Sequence, residues 1–266
     1  MLELNKIYNE DCMETMARMP DNFVDLTVTS PPYDNLRSYK NDIDKTWGEH
    51  VWKPIIEELY RVTKEGGVVV WVVGDATIKG SETGTAFRQA LYFQECGFNI
   101  HDTMIWRKTN PMPQVKQPRY SSEFEYMFIF SVGKPKTFNP IMVPTKCGGN
   151  KYNSTAKKIT SGRKREPLNY IVNHEKVKGA VWDIAVAQNK TAQTAVFPEQ
   201  LANDHIISWS NQNDIVYDPF VGSGTTAKMA VVNNRQYVGS EISQEYCEIA
   251  KKRVADAIKD KAQQLF

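Results

Sequence analysis

Apolar residues recur along the chain with two different periods, and the switches between them predict strands alternating with helices. Asn5 to Tyr8 reads as a short strand, and a helix opens at Asp11 or Cys12 and runs through Met19, where Pro20 ends it. Phe23 to Thr29 is β-rich, with Val24, Leu26 and Val28 alternating, and it stops just before Pro31-Pro32. Trp52 to Val62 carries Ile55, Ile56, Leu59 and Tyr60 at helical spacing, and Glu65-Gly66-Gly67 is expected to break that helix ahead of a strand at Val68 to Val73. Thr85 to Cys96, stopped by Gly97, reads as a helix, and Asn99 to Trp106 and Glu123 to Ser131 read as strands.

From about Asn139 to Gly179 the periodicity fails, and polar, glycine-bearing and basic residues dominate. Order resumes with a helix from Pro198 to Ser210, a strand from Asp214 to Tyr217, a helix from Thr225 to Asn233, a strand from Tyr237 to Ser240 and a final helix from Gln244. Such alternation implies an α/β doubly wound, mostly parallel sheet covered on both faces. Three segments are expected: 1–138 and 181–266 as halves of one domain, and 139–180 as a loop-rich insertion without a core of its own.

Composition narrows this picture. A chain of 266 residues with 41% hydrophobic and 24% charged residues is long enough to bury one full core. No apolar run approaches the ~20 residues that span a bilayer, and Met1 to Lys6 lacks a signal-like start, so a cytoplasmic protein without a membrane partner is expected. Cys12, Cys96, Cys147 and Cys247 form no C-x-x-C pair, and His50, His101, His174 and His205 show no ligand spacing, so no metal site is expected. The net charge of +2 is uninformative, but nine Lys or Arg against two Glu fall between Lys146 and Lys178. Lys146, Lys157, Lys158, Arg163, Lys164 and Arg165 are candidate phosphate contacts, and Trp106-Arg107-Lys108 and Arg119-Tyr120 candidate additions to them.

Asp218-Pro219-Phe220-Val221-Gly222-Ser223-Gly224-Thr225-Thr226 stands where a strand gives way to a helix. Glycines there let a ligand approach the backbone, and Glu241, just past the next strand, is placed to accept hydrogen bonds from both hydroxyls of a ribose. The loop alone does not separate a dinucleotide from another nucleoside ligand, nor from a turn that merely packs strand to helix.

Thr29-Ser30-Pro31-Pro32-Tyr33 adds a second constraint. An exocyclic amino nitrogen on a base is a poor nucleophile, because its lone pair is delocalised into the ring. The Ser30 hydroxyl and the Pro31 carbonyl are acceptors that draw its N–H groups out of that conjugation, and the prolines hold them rigid. Tyr33 offers a flat face for an extruded base, and Asp34, Arg37 and Tyr39 follow it as candidate walls of a base pocket.

Together these segments resemble the amino-methyltransferase family, in which S/D/N-P-P-Y/F carries catalysis and F-x-G-x-G binds S-adenosylmethionine. The catalytic motif precedes the cofactor motif, which is similar to the circularly permuted β class, with the target-recognition region between the two. The resemblance implies a class I methyltransferase fold. Ser30, Pro31, Pro32 and Tyr33 would be catalytic, and Asp11, Ser30, Phe197, Pro198, Asp218, Phe220, Gly222, Ser223, Gly224, Thr225, Thr226 and Glu241 would line the cofactor site. It implies direct methyl transfer with no cysteine nucleophile, double-stranded DNA as partner, and a second copy of the chain and a companion restriction endonuclease as associations. Serine before Pro-Pro-Tyr resembles the cytosine-N4 subgroup, whereas aspartate is more typical of adenine-N6 enzymes. The remaining alternatives are an RNA or protein N-methyltransferase and a nicotinamide-dependent oxidoreductase; the last leaves Ser-Pro-Pro-Tyr without a role.

Overall fold

The computed structural model describes residues 2–32, 47–111, 118–153, 169–186 and 198–263. In chain order the elements are β1 (Lys6–Tyr8), α1 (Cys12–Ala17), β2 (Val24–Thr29), α2 (Glu49–Val62), β3 (Thr63–Val73), β4 (Thr77–Ile78), β5 (Ser81–Glu82), α3 (Thr85–Glu95), β6 (Asn99–Lys108) and β7 (Phe124–Ser131). Then come β8 (Met142–Pro144), β9 (Lys151–Asn153), β10 (Asn169–Ile171), β11 (Glu175–Val177), β12 (Val181–Ile184), α4 (Glu199–Trp209), β13 (Ile215–Asp218), α5 (Thr225–Val232), β14 (Gln236–Ser240) and α6 (Gln244–Gln263). The chain divides into two compact units, 1–139 with 180–266, and Pro140–Gly179.

The larger unit is built on an eight-stranded sheet in the order β1-β14-β13-β2-β3-β7-β6-β12. All pairings are parallel except those of β7, which runs antiparallel to both β3 and β6. The helices form two series, α1 against α2 against α3, and α4 against α5 against α6, one on each face. Val68 to Val73 are buried without interruption, as a strand covered on both sides requires, and all of β2 is buried as well. On the α1–α3 side the core is aromatic: Phe93 stacks on Phe130 at 3.9 Å, and Trp71 meets Phe93 edge-on at 5.1 Å. Among the described residues no helix is long and apolar enough to cross a membrane.

At the opposite edge of the sheet from the site described below, Asp25 is 4% exposed and receives Lys64 at 2.7 Å, Lys136 at 3.0 Å and the Ile215 N–H at 3.0 Å. Burial alone would raise its pKa, but the N–H and the two ammonium groups outweigh it and hold the carboxyl below its usual range.

Three expectations are corrected here. Glu65-Gly66-Gly67 is no break: β3 begins at Thr63, and Gly66, at φ +74°, forms an irregularity inside it where the register against β2 shifts. Val181–Ile184, unmarked by the sequence pattern, is an edge strand paired with β6. The insertion is more regular than a loop, holding the antiparallel pairs β8/β11 and β9/β10.

Candidate active site

β1, β14, β13, β2 and β3 are parallel, so the loops after them share one edge of the sheet whatever their distance along the chain. The chain leaves β13 through α5 toward β14 and leaves β2 through α2 toward β3, and these helices lie on opposite faces. Diverging connections from adjacent strands open a crevice at their carboxyl ends. Ser30, Pro31 and Pro32 stand on one side of it, and the loop from Asp218 to Thr226 on the other.

Direct bonds join the two sides. The Thr29 hydroxyl donates to Asp218 Oδ1 at 2.6 Å across 189 residues of sequence, and the same oxygen accepts the Phe220 N–H at 3.0 Å. The Thr226 hydroxyl donates to the Val28 carbonyl at 2.9 Å, tying the first turn of α5 to the end of β2. Glu241 accepts the Gly222 N–H on one carboxylate oxygen and the Ser243 N–H on the other, both at 2.8 Å, and each oxygen keeps further acceptor capacity. Asn9 donates its amide to the Glu241 carbonyl at 2.8 Å, and Asp11 caps α1 through the Met13 N–H at 2.9 Å.

Gly224 has φ +86° and caps α5, and a Cβ on it would lie 2.9 Å from Ala250, so glycine is demanded by backbone and packing at once. Phe220 sits edge-on to Trp47 at 5.5 Å and to Trp71 at 6.1 Å. Ser223 is held by Arg253, which donates to its carbonyl at 2.8 Å and its hydroxyl at 2.7 Å. Arg253 and Lys228 both reach Glu199 Oε1 at 2.7 Å, one residue after the buried Pro198.

Burial pushes the Asp218 carboxyl up to about 6, against the lowering effect of the Thr29 hydroxyl and the Phe220 N–H. Burial likewise raises Glu241, opposed by its two N–H partners. Asp218, Glu241 and Asp11 gather three carboxyl groups at this edge of the crevice. The cations beside the loop, Arg253 and Lys228, converge on Glu199, which offsets one of their two charges. A pyrophosphate would face carboxylates here, whereas ribose hydroxyls and a cationic sulfonium suit the acceptor set.

The sequence profile of a DNA methylase family matches residues 24–252, which contain both loops. This chain belongs to that DNA methylase family. The orphan methyltransferase M.BamHII of Bacillus amyloliquefaciens is 52% identical over 250 residues, covering 88% of this chain and 90% of its own. The solved PvuII DNA methyltransferase, a cytosine-N4-specific enzyme, has a TM-score of 0.69 at 18% identity over 96% of this chain and 91% of that one. M1.HpyAVI, solved as its complex with SAM (S-adenosylmethionine), has a TM-score of 0.64 at 24% identity over 94% and 98%. The mixed, mostly parallel sheet of this methylase is the class I methyltransferase fold.

The structure thus brings Asp11, Ser30, Pro31, Pro32, Asp218, Phe220, Gly222, Ser223, Gly224, Thr225, Thr226 and Glu241 to one edge of the sheet, with Pro198 capping α4. Thr225 and Thr226 are buried at 2% and 1% exposure, and the Thr226 hydroxyl already serves Val28. Tyr33, Asp34, Arg37, Tyr39 and Phe197 lie outside the described residues, as do Lys157, Lys158, Arg163, Lys164 and Arg165. Lys146 is exposed in the turn after β8.

Other candidates for DNA contact have local roles. Trp106 is a buried core residue bonded to the Ile184 carbonyl at 2.9 Å, Arg107 pairs with Asp183 at 2.5 Å, and Lys108 pairs with Glu125 at 2.8 Å. Arg119 braces the β4/β5 hairpin through Thr77 and Gly80, while Tyr120 is 99% exposed. Cys12 is buried and its thiol pushed up by that burial, and Cys247 is shifted the same way. Thr29, Asn9 and Glu199 lie in segments that carry the family resemblance without a role of their own in it, and Arg253 lies in none.

Proposed function

We propose that this DNA methylase transfers a methyl group to the N4 amino nitrogen of cytosine in double-stranded DNA, with Ser30, Pro31, Pro32 and Tyr33 as the catalytic loop. The observation that carries the reading is the Thr29–Asp218 bond, which fixes an amino-group acceptor loop beside a loop fit for a nucleoside. Ser30 Oγ and the Pro31 carbonyl accept the two N–H bonds of the base and restore its nitrogen lone pair. That nitrogen would gain the methyl carbon, the carbon–sulfur electron pair staying on sulfur as a neutral thioether, and would release one proton along the hydrogen bond to Ser30, from where it passes to solvent. S-adenosylmethionine, when bound, supplies an electrophilic methyl group on a cationic sulfur.

Glu241 would hold the ribose hydroxyls, the backbone from Phe220 to Gly224 would line the crevice, and Asp11, Phe197, Pro198, Ser223, Thr225 and Thr226 would complete its walls. A serine at the first motif position resembles the cytosine-N4 subgroup, whereas aspartate there is more typical of adenine-N6 enzymes. The insertion from Pro140 to Gly179, with Lys146, Lys157, Lys158, Arg163, Lys164 and Arg165, would meet the target duplex.

The test is to incubate the protein with mixed-sequence duplex DNA and methyl-labelled S-adenosylmethionine, digest to nucleosides and identify the product by mass spectrometry. N4-methylcytosine is expected. N6-methyladenine would move the target base and leave the site assignment standing, and no label in DNA would refute the reading.

A further inference from the structure

Among the described residues of Pro140–Gly179 none is buried. Each of its two antiparallel strand pairs has strands of three residues, a size that is marginal by itself in water. Yet this unit exposes Met142, Tyr152, Tyr170, Ile171 and Val177 at 45% to 61%. Apolar and aromatic surface concentrated on a coreless unit is surface for a partner.

Tyr152 and Tyr170 are directly opposite each other across β9 and β10, with ring centroids 5.0 Å apart and planes at 33°. Alternation along the strands puts both rings on one face of the strand pair and Lys151, Asn153, Asn169 and Ile171 on the other. Lys146, Lys151 and Lys176 are exposed in the same unit. A tyrosine offers a flat π face with only two rotatable side-chain bonds, so it stacks on a base or sugar with little ordering cost. Lysines exposed on the same unit favour an anionic partner over an apolar protein surface.

We propose that the Tyr152–Tyr170 pair is a DNA-contacting aromatic platform, its rings packing against the sugar–phosphate edge of the duplex. The proposal rests on the reading of the chain as a methylase of duplex DNA and names residues that carry its DNA affinity.

The experiment uses the whole protein as Tyr152→Ala, Tyr170→Ala, the two Tyr→Phe counterparts and Lys151→Ala. DNA affinity is read by fluorescence anisotropy across a salt series, KM for DNA and kcat by product analysis, and cofactor affinity by calorimetry. Each Tyr→Ala change is expected to weaken DNA binding by about fivefold or more, the scale of one interface side chain worth about 1 kcal/mol. The rise should appear in KM for DNA, with cofactor affinity and salt slope unchanged. Both Phe variants should stay within about twofold of the parent, since the ring is kept. Lys151→Ala, on the opposite face of the strand pair, should leave DNA affinity and the salt slope close to those of the parent.

Alanine variants that bind DNA like the parent overturn the proposal, and so do Phe variants that fail as badly as Ala. A change in sedimentation with DNA affinity intact would assign the face to a protein partner instead. Since alanine also weakens the strand pair, the parent protein is crosslinked by light to 5-iodouracil-substituted duplex: crosslinked peptides containing Tyr152 or Tyr170 support the platform, and crosslinks confined elsewhere refute it. A parent protein that places no label in DNA fails at the underlying reading, before any variant is made.

Discussion

Gly224→Ala and Gly80→Ala form a matched pair that separates backbone strain from crowding. Both glycines are left-handed, at φ +86° and φ +83°. An alanine in that region costs roughly 1–2 kcal/mol, offset by about 0.4–1 kcal/mol because the unfolded chain loses freedom too. At Gly80 nothing lies within 4 Å of the added methyl, so the net loss should be about 1 kcal/mol or less. At Gly224 the methyl would stand 2.9 Å from both Ala250 Cα and Cβ and 3.3 Å from its carbonyl oxygen. α5 and α6 must then part, and overpacking of that kind adds about 1–3 kcal/mol, for a total of about 1–4 kcal/mol. Urea unfolding of both variants, with the denaturant slope checked for constancy, measures the difference. The Gly224 variant should also lose more affinity for S-adenosylmethionine in calorimetry, since α5 carries the loop. Equal destabilisation of the two variants would refute the claim that Ala250 enforces glycine at 224.

The remaining predictions concern buried charges. Asp218 has a folded-state pKa of about 6, above its ordinary 3.8, so the folded protein binds the extra proton between those values and this group's contribution to stability falls as pH rises through that window. Asp218→Asn, whose carbonyl can still accept from Thr29 and Phe220, should remove that dependence; a slope unchanged from the parent between pH 4 and 6 would count against it. Asp25 has the opposite sign: its lowered pKa stabilises the fold above the unfolded value and is lost as pH drops through the folded one. Asp25→Asn should cost about 1–3 kcal/mol at neutral pH, with the gap closing in acid, and a gap that persists there would show the charge to be irrelevant. Arg253→Ala should weaken cofactor binding by about tenfold through release of Ser223, and Arg253→Lys should recover part of it; unchanged affinity in calorimetry would make the Arg253–Ser223 bonds incidental.

The helices and inner strands were legible because each buries a regular stripe: Ile55, Ile56 and Leu59 at helical spacing, Val68 to Val73 as one apolar run. Elements that bury little were not. β12 is four residues long and alternates exposed with buried, and the strands of the insertion are three residues each, too short for a period to register. The antiparallel sense of β7 is likewise absent from its own sequence, because a strand buried on both faces reads the same in either direction. Trp106, Arg107, Lys108 and Arg119 looked like DNA contacts because residue type was visible and pairing was not: Asp183, Glu125 and Thr77 answer them from elsewhere in the chain.

The two site loops were legible for a different reason, namely that each has a local backbone requirement. Consecutive prolines stiffen one loop, and left-handed glycines at 222 and 224 bend the other around a helix start. What joins them has no local signature, since Thr29 meets Asp218 only because β2 and β13 are adjacent, with Leu26 opposite Val216 and Thr27 opposite Tyr217. Sheet order, not chain order, assembles the crevice. A chain that enters at β1 and supplies β13 and β14 last builds the same edge as one that supplied them first, provided the central strands keep their register. That register is defended from below by Asp25, which reaches from β2 to the Ile215 N–H of β13, and from above by Thr29 on Asp218. The two bonds bracket the shared length of the strands, so a slip of either strand would break both and part the two loops of the site.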